Sequence, residues 1–211
     1  MLDRFTASKL HGGAFNFLLA QWAFHDVLSF SNSVFEDYST GVYFFFVAYW
    51  QQVVVRNLTL QNVSEHKYQT IYLAVVSDIQ FYDVKIVNYT GSYSEALPIL
   101  TPNVVPGYQF ILDGLYIENT DLTNTGFFRN LASFVSCVVS NVHFQNVTVD
   151  SSVSAFEILN VKNIQLGDFI FDTVYTPEGE AVSSALFNIL SIDFDSDYDT
   201  FEFKVSDVKL T

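Results

Sequence analysis

Residues 77–88, SDIQFYDVKIVN, and residues 162–173, KNIQLGDFIFDT, agree almost position for position through Ile86 and Phe171. Both alternate apolar and polar residues with a period of two, turn at an Asp (Asp83, Asp168), and alternate again to an Asn or Thr (Asn88, Thr173). Period-two alternation describes a half-buried strand. An Asp or Asn between two such strands supplies the left-handed backbone that a one-residue corner needs. Residues 137–146, CVVSNVHFQN, and 52–62, QVVVRNLTLQN, fit the same frame less closely.

The second strand of the unit recurs along the chain. Its copies begin at Leu58, Val84, Leu115, Val142 and Phe169 and end at Asn62, Asn88, Asn119, Asn146 and Thr173, and Leu28 to Asn32 reads as an earlier, weaker copy. From 32 through 62, 88, 119, 146 and 173 the steps are 30, 26, 31, 27 and 27. A period near 28 points to a solenoid or a propeller. A variable polar stretch follows each copy, as at 64–69 and 89–95, and then a further apolar run, as at 71–76 and 156–161. Three short strands per coil with no helical stripe predict an all-β, right-handed parallel β-helix of about seven coils, about 28 residues each. A leucine-rich solenoid places its Asn one residue later and is dominated by Leu, and a propeller blade needs roughly 40 residues. By alternation, the terminal Asn of each unit is expected to point inward and to stack on its neighbour.

The chain has 211 residues, 50% of them apolar, enough for one domain with a sizeable core. Residues 1–211 are therefore read as a single solenoid domain, with 1–11 an unassigned N-terminal extension. Nine basic residues stand against 23 acidic ones, for a formal charge of −14. That balance argues against nucleic acid or an anionic membrane surface as partner, because both need a positive face. The single Cys137 excludes an internal disulfide framework. The longest apolar run, Val42 to Trp50, is half the length of a spanning helix. The opening residues do not resemble a secretory leader, so either Met1 is not the native start or the chain stays inside the cell.

The h-x-h-x-[DN]-h-x-h-x-N unit resembles the repeats of pectin-lyase-like parallel β-helix proteins. His11-Gly-Gly-Ala-Phe15 resembles the GGA-type signature of polymorphic outer-membrane repeats in large surface proteins. The first resemblance covers about residues 12–211 and implies a fold shared by polysaccharide lyases, glycoside hydrolases, adhesins and fibre proteins, so function must be argued from sites. Of the motifs the pectinase branch implies, Asn119-Thr-Asp121 matches one. The adjacent Asp pair, GHG and RIK motifs are absent. No catalytic residue is assigned. Cys137, in an alternating strand, reads as a buried inert thiol.

Asp193, Asp195 and Asp197 have the spacing that opens a calcium loop, but Tyr198 and Lys204 stand where that loop wants Gly and Glu. Calcium is the one cofactor the sequence suggests; the alternative is a solvated strand face or an outward loop in the last coil. Asn57, Asn62, Asn88 and Asn146 each open an N-x-Ser/Thr sequon. If the ladder asparagines face inward, Asn57 is the best glycosylation candidate; if they face out at a corner, all four are candidates.

Two features suggest assembly. Tyr43, Phe45, Val47 and Tyr49 alternate with Phe44, Phe46 and Ala48, so both faces of that strand are apolar, and the outer one needs a cover. Asp207 to Thr211 copies Asp83 to Val87, so the last strand is uncapped. The expectation is a non-enzymatic structural protein of an extracellular or cell-surface fibre or scaffold. Its partners would be copies of itself or adjacent segments of a longer chain, with N-linked glycans. A carbohydrate-active enzyme or a glycan-binding or adhesin module is the alternative.

Overall fold

The computed structural model describes residues 2–3, 6–8, 11–12, 18–40, 45–64, 70–90, 99–103, 109–123, 125–129, 134–150, 154–176, 186–190 and 202–210. The strands among them are β1 (Leu2–Asp3), β2 (Thr6–Ser8), β3 (His11–Gly12), β4 (Leu18–Thr40), β5 (Phe45–Ser64), β6 (Ile71–Thr90), β7 (Leu100–Asn103), β8 (Gln109–Asp121), β9 (Phe128–Arg129), β10 (Phe134–Thr148), β11 (Phe156–Leu159), β12 (Val161–Tyr175), β13 (Phe187–Leu190) and β14 (Glu202–Leu210). Every pairing between them is parallel and joins one rung of the chain to the next. The result is a parallel β-solenoid.

The long strands are not straight. β5 passes through three faces of a rung because Tyr49, Asn57 and Asn62 adopt positive φ (64°, 51° and 53°) and bend it. These bends stack into columns. The first corner holds Asn32, Asn57, Asp83, Gly114, Asn141 and Asp168, all at positive φ. The second holds Asp37, Asn62, Asn88, Asn119, Asn146 and Thr173, again all at positive φ. The third contains Tyr49 and Val75, with Asn160 five residues after Ala155 on a later rung. Asn and Asp tolerate this backbone because their short polar side chains satisfy neighbouring groups, which is why they fill the first two columns.

Between corners, alternation resumes. On the face after the first corner, Leu58, Val84, Leu115, Val142 and Phe169 stack inward, and Leu60, Ile86, Ile117, Phe144 and Phe171 form the next column. All ten are at most 3% exposed. Phenylalanines from separate faces meet on the axis: the Phe156 ring lies 5.6 Å from Phe127, 5.9 Å from Phe144 and Phe169, and 5.6 Å from Phe187. Contacts at this spacing add to the free energy of burying each ring.

Two sequence expectations change. The terminal Asn of each unit faces outward: Asn62, Asn88, Asn119 and Asn146 are exposed. Strict alternation would have turned them in, but the positive φ that makes the corner breaks the alternation at that residue. The first copy is also displaced by five residues. Asn32 stacks on Asn57, and the true counterpart of Leu58 to Asn62 is Ser33 to Asp37, since Ser33 pairs with Leu58 and Glu36 with Gln61. The corrected steps, from 37 through 62, 88, 119, 146 and 173, are 25, 26, 31, 27 and 27.

Candidate functional site

The corner columns carry the most regular polar chemistry of the molecule. Asn62 Nδ2 donates to Asp37 Oδ1 (2.7 Å) and Asn88 Nδ2 to Asn62 Oδ1 (2.8 Å), while Asn146 Nδ2 donates to Asn119 Oδ1 (2.6 Å). At the first corner Asn57 Nδ2 donates to Asn32 Oδ1 (2.7 Å). Gly114 then interrupts the column, and Asn141 Nδ2 reaches Asp113 Oδ1 (2.6 Å), which also accepts from Ser140 Oγ (2.9 Å). In each of these bonds the amide donates toward the preceding rung. All four sequon asparagines therefore lie on exposed corners inside amide ladders.

Beside the first corner runs a shallow groove of about 320 Å³, lined by Asp83, Lys85, Gly114, Tyr116, Asn141 and His143. A second hollow of about 250 Å³ continues it past Asp168, Ile170 and Lys209. The groove's lining comes from three successive rungs, through Asp83 and Lys85, Gly114 and Tyr116, and Asn141 and His143. Its outer column is closely stacked: Lys85 Nζ sits 5.1 Å from the centre of the Tyr116 ring, and the His143 ring meets Tyr116 edge-on at 5.2 Å. Arg56 covers Tyr82 in the same way at 4.8 Å. Tyr116 donates to Gln145 Oε1 (2.6 Å), and its hydroxyl pKa is raised by burial and by the nearby Glu118 carboxylate. His143 Nε2 is shielded from solvent with no hydrogen-bond partner among the described residues.

The carboxylates here already have structural work. Asp113 holds Ser140 and Asn141, and the Asp83 carboxylate fills the notch over Gly114. Asn119-Thr-Asp121 is likewise accounted for locally. Asn119 is a corner residue with φ 48°, Thr120 is buried, and Asp121 Oδ1 accepts from the Thr123 amide (3.0 Å) and hydroxyl (2.7 Å). Cys137 is fully buried, and burial pushes its thiol up to about 12, so it carries no thiolate at neutral pH. Among the described residues no three His, Cys, Asp or Glu side chains come together as a metal site. Asp193, Asp195 and Asp197 lie outside the described residues. No helix among the described residues is long and apolar enough to cross a membrane.

The apolar Val42 to Trp50 segment is described from Phe45 onward. Phe45 and Val47 point into the core, and Phe46 points out against the Tyr72 ring at 5.5 Å. Ala48 is 1% exposed yet stands outside the core cluster, so the outer side of this strand is covered there. At the other end of the stack the inner columns reach β14. Val205 and Val208 are 51% and 43% exposed there, whereas Leu166 and Phe169, one rung earlier, are 4% and 0% exposed. No sequence signal other than the copied motif pointed to the groove, because its lining residues come together only once three rungs are aligned. Comparison with known proteins finds no matching family, no similar curated protein and no similar solved structure.

Proposed function

We propose that this chain is a non-enzymatic structural β-helix of an extracellular or cell-surface fibre or scaffold, of the pectin-lyase-like kind that its repeat resembles. It associates with copies of itself or with adjoining solenoid segments. The observation that carries the reading is the inner column at β14: Val205 and Val208 continue the column of Leu166 and Phe169 and are 51% and 43% exposed, an apolar surface that a further rung, of adjoining solenoid or of another copy, would cover. A rung that added in register would bury the remaining exposed half of each valine, worth about 1 kcal/mol apiece. Asp113 and Asp83 are taken up in holding the first corner and Cys137 is a buried neutral thiol, which supports the same reading. Four sequons on exposed corners support a secreted or surface location.

Sedimentation of the full chain over a wide concentration range tests this. Association that is weakened by Val208→Asp is expected. A monodisperse monomer at every concentration, with both valines intact, overturns the assembly. A second reading, a glycan-binding module, is favoured by the groove beside Tyr116 and His143. Saturable binding of an oligosaccharide that is lost in Tyr116→Ala would establish it.

A further inference from the structure

The direction of the amide ladders bears on what the sequon asparagines can carry. Asn57, Asn62, Asn88 and Asn146 each donate one N–H to the preceding rung, at 2.6–2.8 Å. A primary amide has two such hydrogens. A chain of amides that runs one way along an axis uses the hydrogen pointing away from the carbonyl, as successive peptide groups do. The hydrogen on the carbonyl side is the one a sugar replaces when the side-chain amide becomes a trans secondary amide. Asn62, which donates to Asp37 and accepts from Asn88, shows this arrangement in full, so a glycan and a ladder bond there draw on different hydrogens of one nitrogen, and the donors Asn57, Asn88 and Asn146 can do the same.

Spacing sets the limit. Asn62 and Asn88 stand on adjacent rungs, joined directly by a 2.8 Å bond. Adjacent strands lie about 4.8 Å apart, which leaves less room than two substituted pyranose rings with their branches require side by side. Asn57 occupies the other corner, between Asn32 and Asp83, neither of which begins a sequon. Asn146 is two rungs from Asn88, with Asn119 between them, and Asn119 begins no sequon.

We propose that the folded solenoid accepts N-linked glycans at Asn57, at Asn146 and at one of Asn62 or Asn88, with occupancy of those two mutually exclusive. This rests on the extracellular reading above.

The test is secretion of the full chain from a glycosylating eukaryotic host behind an added leader, followed by intact-mass and glycopeptide analysis of the folded, protease-resistant fraction. At most three glycans per chain are expected, with chains divided between Asn62 and Asn88. Ser64→Ala, which removes the Asn62 sequon and keeps its amide, should raise Asn88 toward full occupancy, and Thr90→Ala should do the reverse. Folded chains bearing sugar on both Asn62 and Asn88 would overturn the exclusion while leaving the extracellular reading standing. No glycan at any of the four sites would overturn the proposal that the folded solenoid accepts them, and would leave the location to be judged separately.

Discussion

The carboxylate of Asp83 occupies the place where a side chain on Gly114 would begin: a Cβ there would lie 2.9 Å from Asp83 Oδ1 and 3.1 Å from the Asp83 backbone nitrogen. Gly114 also sits at φ +84°, where an L side chain is strained. Gly114→Ala is expected to lower stability by roughly 1–3 kcal/mol, read as a fall in Tm. Adding Asp83→Ala should recover only part of that loss, because the Asp83 backbone still crowds the new Cβ.

Val75 presents the opposite case. It holds φ 57° at the third corner, although its branched side chain disfavours that backbone. Asn160 adopts the same left-handed conformation later in the chain. Val75→Asn is expected to raise stability by about 1 kcal/mol, checked by calorimetry. An unchanged or lower Tm would mean that Val75 packing outweighs the strain.

The amide ladder is worth measuring by itself. Asn146→Ala removes both the bond to Asn119 and a residue suited to φ 53°, and should cost roughly 1–2 kcal/mol. Asn146→Gly keeps the backbone freedom and should cost less. The difference between the two variants in chemical denaturation reports the backbone part.

On the axis, Phe156→Ala removes a ring that touches four others and should cost about 3–5 kcal/mol. Ile170→Ser, on the outer surface at 39% exposure, should stay within about 0.5 kcal/mol.

Alkaline pH should unfold the protein. Burial raises the Cys137 thiol to about 12 from an ordinary 9.0, and the Tyr89 hydroxyl to about 12 from 10.0. Tyr38 is raised too, by burial and then by Tyr89. Each folded value lies above the unfolded one, so the neutral forms favour folding. Their contribution is complete below pH 9 and falls as pH climbs toward 12, by about 1.4 kcal/mol per pH unit for each group titrating only when unfolded. Cys137→Ser should leave the tyrosine part of the loss above pH 10 in a pH series of denaturation curves.

The solenoid was legible in the sequence because Asn, Asp and alternating apolar residues answer directly to corner and face. The copies from Leu58 to Thr173 fall in register as read. The first copy was misplaced because Ser33, buried and bonded to the Ser31 carbonyl, stands where later rungs put Leu, Val or Phe. The third corner was hidden because Tyr49 and Val75 are not residues that announce a left-handed turn. The outward face of the asparagines could not be had from alternation, since the corner itself resets the pattern. The groove is lined from three rungs at once, by Asp83 and Lys85, Gly114 and Tyr116, and Asn141 and His143, which no single repeat displays.

Because strand pairing joins each rung only to its immediate neighbours, the stack has no central keystone. A molecule stretched from its two ends would unzip turn by turn, each rupture releasing roughly 27 residues, or on the order of 90 Å of slack. Such a coil behaves as a shock absorber, yielding in stages under tension before it parts.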